Sequence, residues 1–283
     1  MTSPITIVTG TSSGIGLEIA VQAAAAGHTV VATMRDLAKA DPLRDAASAA
    51  GVSVDIRQLD VTDQGSIDAC VASVLADHGR IDSLVNNAGA GHVGTIENES
   101  LDDVRAVMEV NFFGVVAATK AALPHLRATG GRVVTVTSVG GAVGQPFSEA
   151  YCAAKFAVEG FMESLAPVAA TVGVAVSVVE PGAVASEFVP NIGLSSATMV
   201  AEAGVYGPAL SAYLATSGSS FAKAQSSADA AAAIVAVLVS DAPPARAQTS
   251  DGAAGFVGTK YGDLDGSAVQ RLTRGWVGAS LES

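Results

Sequence analysis

The chain has little of what would staple, metallate or anchor it from outside its own core. Only 2 of its 283 residues are cysteine. That is too few for a disulfide framework, and Cys70 and Cys152 both sit in apolar helical patterns, as small core residues of a reducing compartment do. His28, His78, His92 and His125 are scattered without ligand spacing, so no metal site is expected. Basic residues are in the minority, with 15 Lys and Arg against 27 Asp and Glu and a formal net charge of −12. Such a balance argues against nucleic acid or an anionic membrane as partner. No charged leader precedes an apolar run at the start, where Ile5–Val8 is too short for a signal core. The longest late apolar run, Ala230–Val239, is about half a membrane span. A soluble, cytoplasmic protein is expected.

What is present is apolar and glycine-rich: 49% hydrophobic residues, 15% charged, and 30 glycines. That profile suits a sheet buried on both faces. Short β-branched segments recur at Ile5–Val8, Thr29–Met34, Val54–Leu59, Leu84–Val85, Arg132–Thr137 and Val174–Val179. Between them lie helical patterns at Gly14–Ala26, Pro42–Ala50, Gln64–Asp77, Leu101–Ala128 and Glu149–Val172. Asp41 before Pro42 and the Ser100…Asp103 pair read as helix starts, and Gly27 and Gly51 as helix ends. The alternation predicts right-handed βαβ units in an α/β fold, with a doubly wound parallel sheet of about seven strands in a single domain spanning 1–283. After Val179 the rhythm breaks. Pro181–Phe221 reads as irregular and too long for a plain connection, so 181–226 is expected to form a substrate-binding lid. A helix at Ser227–Val239, a short strand near Ala245–Thr249 and an extension over 250–283 complete the chain.

The first strand runs into TGTSSGIG, residues 9–16. Glycines at 10, 14 and 16 let the backbone turn sharply and approach a bound group. The helix that starts there offers unpaired N–H groups to a pyrophosphate. Further on come NNAG at 86–89, MEVNFFG around Asn111, Ser138, the pair Tyr151-x-x-x-Lys155, and Pro181-Gly182. Six motifs in this order, over roughly residues 4–250, resemble the short-chain dehydrogenase/reductase family. Within it, YCAAKFAVEGFMESLA and ATMRDL are similar to the branch of 17β-hydroxysteroid and retinol dehydrogenases.

The resemblance implies a Rossmann-type oxidoreductase with a dinucleotide held by Gly10, Ser12, Ser13, Gly14, Ile15 and Gly16. Asp60 and Val61 would lie at the adenine, Asn87, Ala88 and Gly89 on the adenosine side, and Pro181, Gly182, Val184 and Ser186 toward the nicotinamide. Ser186 stands where the family usually carries threonine. In dinucleotide folds an acidic residue ending the second strand binds the ribose hydroxyls. Here Met34 takes that place and Arg35 follows, whose guanidinium can pair with a 2′-phosphate. Ser13 can add a hydroxyl. NADP(H) is therefore expected over NAD(H), against the alternative of an Arg35 paired with Asp36.

Tyrosine ionises near pH 10, so only about one molecule in a thousand is phenolate at pH 7. A lysine one helical turn on shares its face. Its ammonium favours the ionised form, making Tyr151 a usable acid or base. By resemblance Lys155 also binds the nicotinamide ribose, Ser138 orients the substrate oxygen, and Asn111 holds a water on a proton path to Lys155. A half-buried lysine that snorkels past a packed tyrosine is the alternative. No Lys or Arg occurs between Lys155 and Lys223, while Phe188, Met199, Tyr206, Tyr213 and Phe221 are available to line a cavity. An apolar ketone, aldehyde or secondary alcohol is the expected substrate. A turnover-silent cofactor sensor, or an epimerase or dehydratase on the same scaffold, are the competing expectations. The family also implies a homodimer or homotetramer.

Overall fold

A computed structural model of the chain describes residues 3–185, 196–221 and 224–279. The strands among them are β1 (Ile5–Thr9), β2 (Thr29–Met34), β3 (Asp55–Gln58), β4 (Ser83–Asn86), β5 (Arg132–Val136), β6 (Ala175–Glu180), β7 (Val184–Ala185), β8 (Gln225–Ser226) and β9 (Arg246–Gln248). The helices are α1 (Gly14–Ala25), α2 (Asp41–Ala49), α3 (Gln64–His78), α4 (Leu101–Met108), α5 (Gly114–Thr129) and α6 (Glu149–Ala170). They continue with α7 (Ser196–Glu202), α8 (Gly207–Phe221), α9 (Ser227–Val239), α10 (Asp251–Tyr261) and α11 (Ser267–Trp276). Seven strands form one parallel sheet in the order β3-β2-β1-β4-β5-β6-β9. This is a doubly wound Rossmann-type α/β fold whose winding reverses between β1 and β4.

Side chains alternate across a strand, so both faces of the sheet need cover. Ile5, Ile7, Val31, Leu84, Val133, Val176 and Val178 pack with α3, α5 and α6 on one face. Their neighbours Val8, Val30, Ala32, Val85, Val134 and Val179 pack with α1, α2 and α9 on the other. The helix ends follow the sequence. Ser100 and Asp103 form a capping box, and Gly27 and Gly51 take φ of 94° and 68°.

Three stretches depart from expectation. Leu101–Ala128 is not one uniform helix, because a π-helical turn over Glu109–Phe113 separates α4 from α5. Such widened turns collect at functional sites. Region 181–221 is not irregular throughout. Its described part holds α7 and α8, whose Leu210 and Tyr213 bury against Phe147, a tertiary contact that overrides the weak propensity of a Gly- and Ser-rich segment. The 250–283 extension likewise carries α10 and α11.

Arg132, at the start of β5, donates from Nη1 to the carbonyls of Leu238 and Ser240 at 2.7 Å each, closing the C-terminus of α9. Arg132→Met keeps the apolar stem and removes both bonds. Its unfolding free energy in urea should fall by about 1.5–3 kcal/mol.

Candidate active site

Among the described residues, the motif positions apart from Asn111 and the Tyr151–Lys155 pair lie at or just beyond the carboxyl ends of sheet strands. The edge where β1 and β4 lie side by side is where open α/β sheets leave a crevice. At its centre the glycine turn is pinned from two sides. Thr9 Oγ1 accepts from the N–H groups of Asn87 and Ala88 at 3.0 Å each, and Asn87 Nδ2 donates to the carbonyls of Thr9 and Gly10 at 2.9 Å. Thr11 donates from its N–H and its hydroxyl to the Thr33 carbonyl.

The approach is so close that side chains are excluded. A Cβ on Gly10 would lie 2.7 Å from Ala88 Cα, and one on Gly16 would lie 2.1 Å from the Gly10 carbonyl oxygen. Gly10 also holds φ at 71°, a conformation glycine adopts without penalty. Helix α1 starts here with no side-chain cap from Ser13 and no acidic residue in its first turn. Bare backbone and an uncapped helix start fit a dinucleotide pyrophosphate.

Arg35 lies exposed beyond β2 and forms no ion pair among the described residues. Asp36 accepts instead from the Ala38 N–H at 3.0 Å, so it closes its own turn rather than holding the guanidinium. Met34 is 2% exposed. Across from it, Asp60 accepts from the Thr62 N–H and hydroxyl at 3.0 and 2.7 Å. Partial burial pushes the Asp60 carboxyl up, but these bonds and nearby Arg35 hold it below the usual range. Val61 rests on Gly114, where a Cβ would come within 2.9 Å of the valine side chain.

The other end of the crevice gathers Asn111, Ser138, Tyr151 and Lys155. Asn111 is fully buried in the π turn, where its amide donates to the carbonyls of Ala90 and Val107 and its oxygen accepts from the Ala90 N–H. Gly89 lies between Asn111 and the lysine: a Cβ there would be 2.9 Å from Asn111 Oδ1 and 3.5 Å from Lys155 Nζ. Lys155 is 4% exposed, donates to the Val136 carbonyl at 3.4 Å, and stands 5.7 Å from the Tyr151 ring centroid. Ser138 accepts from the Gly140 N–H at 3.0 Å and hydrogen-bonds the Tyr151 phenol.

Charge at this end differs from the sequence expectation. Burial pushes the Tyr151 phenol above its usual range, and the Ser138 hydrogen bond only partly offsets it. Burial also pulls Lys155 down to about 8 despite the nearby Glu159. A phenolate in a dry pocket loses more hydration than an ammonium beside the ring returns. The protein alone therefore keeps Tyr151 protonated.

Pro181 accepts from the Val139 N–H at 2.9 Å, tying the exit of β6 to the turn after Ser138. Gly182 faces Ala253 of α10, and Val184 pairs with Gln225 across β7 and β8. Ser186 and Phe188 lie outside the described residues. Of the expected wall residues, Tyr213 is buried and its hydroxyl lies 3.3 Å from Ser148 Oγ, whereas Phe221 is 38% exposed. Tyr206 donates outward to Glu97 at 2.8 Å.

Several neighbours escaped the sequence. Phe147 packs on Tyr213, and Val93, Trp276 and Val277 join the same cluster. Phe256 stacks on Trp276 at 5.7 Å. Lone aromatics far apart in the chain carry no periodic signal. Only the single tryptophan stood out by rarity.

The sequence matches the short chain dehydrogenase family over residues 4–197. It is 40% identical to human (Homo sapiens) retinol dehydrogenase 8 over 277 residues, covering 94% of this chain and 88% of that protein. It is 46% identical to estradiol 17-beta-dehydrogenase 1 of Rattus norvegicus over 195 residues, covering 66% of this chain and 56% of that protein. Among solved structures, a short-chain dehydrogenase from Streptomyces avermitilis superposes with a TM-score of 0.76 at 32% identity, covering 97% of this chain and 98% of that one. An alcohol dehydrogenase from the archaeon Thermococcus sibiricus, complexed with 5-hydroxy-NADP, gives 0.62 at 29% identity, covering 66% and 79%.

Gly16→Ala forces a methyl onto the Gly10 carbonyl, whereas Gly144 has nothing within 4 Å of an added Cβ. Thermal and urea unfolding should show Gly16→Ala destabilised by about 1–3 kcal/mol and Gly144→Ala close to wild type.

Proposed function

The chain belongs to the short-chain dehydrogenase/reductase family, and from that premise we propose an NADP(H)-dependent oxidoreductase that interconverts an apolar ketone or aldehyde with its alcohol. The observation that carries this reading is the set of half-buried Ser138 and Tyr151 with buried Lys155 around one point at the sheet edge, with the glycine turn on the same edge. A bound nicotinamide dinucleotide would supply or accept the hydride.

The chain's own residues would handle the proton and the oxygen. Ser138 would hold the substrate oxygen against the Tyr151 hydroxyl. Tyr151, kept protonated by burial, would give its proton to the nascent alkoxide in reduction and take it back in oxidation. Lys155 would offset the charge that develops on the phenol oxygen. Asn111, fixed to Ala90 and Val107, would keep the Gly89 loop and the lysine in register and border a water path to Lys155.

Preference for the phosphorylated cofactor is supported by Arg35, whose guanidinium has no carboxylate partner among the described residues, by the buried Met34 and by the uncapped Ser13. The archaeal alcohol dehydrogenase it resembles was captured with an NADP derivative. An apolar substrate is supported by the apolar cluster that Phe147, Met199, Tyr213 and Trp276 form where α7 and α8 pack, and by relatives named for retinol and estradiol. Assembly into a homodimer or homotetramer through the Asn111 and Tyr151 helices is supported by Phe113 and Phe156, which stand 50% and 39% exposed there.

Tyr151→Phe should bind NADPH normally by fluorescence titration and lose about 10²–10⁴-fold in kcat/KM with hydrophobic ketones. Normal binding with no turnover by either protein across a carbonyl panel would replace the oxidoreductase with a sensor. Arg35→Ala should weaken NADPH about ten- to a hundredfold relative to NADH. An unchanged ratio of the two dissociation constants would remove the 2′-phosphate assignment.

A further inference from the structure

One turn beyond Lys155 on the same face of α6 lies Glu159, a buried carboxylate with no part in the chemistry above. It is 5% exposed, and neither oxygen accepts an aligned hydrogen bond among the described residues. The Thr137 hydroxyl beside it donates to the Val179 carbonyl at 3.1 Å and, lying close to the carboxylate, favours its charged form. The turn after Ser138 closes on this spot: a Cβ on Gly141 would lie 2.9 Å from Glu159 Cγ and 3.2 Å from the Lys155 carbonyl oxygen.

Three of the packed elements bring charge to it. Helix α6 contributes Lys155 and the exposed Glu163, β6 contributes Glu180, and β9 contributes Arg246. Arg246 stands 3.1 Å from Glu159, 3.3 Å from Glu163 and 2.7 Å from Glu180, and also donates to Tyr261 of α10. Glu180 is satisfied separately, by Arg246 and by Gln248 Nε2 at 2.6 Å. Glu159, held by the same guanidinium, is the carboxylate whose charge raises the lysine.

We propose that Glu159 is a positioning residue for Lys155: its carboxylate is the fixed counter-charge that keeps the ammonium protonated in the dry interior, and Arg246 keeps that carboxylate ionised. Burial, with Glu180 adding to it, lifts Glu159 to about 6, so the counter-charge is present at neutral pH and is lost in mild acid. Its functional meaning rests on the oxidoreductase reading, but ionisation of Lys155 is read without turnover, so the two can fail separately.

The chain has five lysines, Lys39, Lys120, Lys155, Lys223 and Lys260. Carbon-13 labelling at lysine Cε gives each a resonance that reports its ionisation, with Lys155→Met assigning the relevant one. In wild type the Lys155 midpoint should lie near 8. In Glu159→Gln it should fall by about one pH unit or more, and Glu159→Asp should bring it back toward wild type. A folded Glu159→Gln protein with an unshifted Lys155 midpoint overturns the proposal. Should that variant fail to fold, the reciprocal measurement decides: in Lys155→Met the labelled Glu159 carboxyl must titrate above its wild-type midpoint near 6, and an unchanged midpoint overturns the proposal equally.

Discussion

An ammonium sealed from water is the constraint around which this site is arranged. Lys155 is 4% exposed and has one long hydrogen bond, to the Val136 carbonyl. Taking such a charge out of water costs several kcal/mol unless fixed dipoles and counter-charges replace the lost hydration. The surroundings are crowded to provide them. Gly89 must be bare so that Asn111 and the lysine can meet across it, and Gly141 must be bare so that Glu159 can pack beneath. Gly140 is less crowded, with an added Cβ at an ordinary 3.4 Å from Ser138 and Tyr151. Two glycines on two different loops thus answer to one buried cation and its counter-charge.

The sheet supplies the frame for this arrangement and is itself held by polar pins where the site requires them. Asn86, 2% exposed, donates to the hydroxyls of Thr119 and Thr135, joining β4 to α5 and β5. Thr9, Thr11 and Asn87 do the same for the glycine turn. A buried polar group without a partner costs about 1–3 kcal/mol, so these threonines and asparagines fix one arrangement of the strand ends where apolar side chains would tolerate several. The cofactor cradle and the proton site are therefore parts of one rigid edge.

The architecture was legible because its signals are local and periodic. Strand bounds from the sequence agree with the structure within a residue or two over most of the sheet, and Ser100 with Asp103 caps the helix it was expected to cap. The glycine turn, Ser138, Tyr151 and Lys155 were legible because their spacing is chemical, and the structure brings the last three together. What was hidden depends on contacts between distant residues. The π turn at Asn111 exists because the Asn111 amide reaches back to Ala90. Helix α8 exists because Tyr213 and Leu210 find Phe147. The ionisation of Tyr151 was misjudged for a related reason. Spacing on a helix gives adjacency to an ammonium, whereas the acidity of a phenol depends on how dry the whole pocket is.

The end of the chain packs beside that pocket. Helices α10 and α11 pack Ala253, Val257 and Val269 onto Val139, Ala142 and Val143, the turn that follows Ser138. Strand β9 brings Arg246 to Glu159 and Glu180, and α10 brings Tyr261 to the same guanidinium. A charge pair buried in this way contributes little net stability when its desolvation is counted. Its retention beneath a functional lysine is better explained by what it does to that lysine's proton. The extension beyond β9 then has two effects with one cause. By excluding water from the Ser138 turn it raises the phenol, and by holding Arg246 against Glu159 it offsets the same exclusion at the ammonium. A chain cut before α10 would reopen both to solvent, and the opposing shifts that keep the tyrosine a donor and the lysine a cation would relax together toward their values in water.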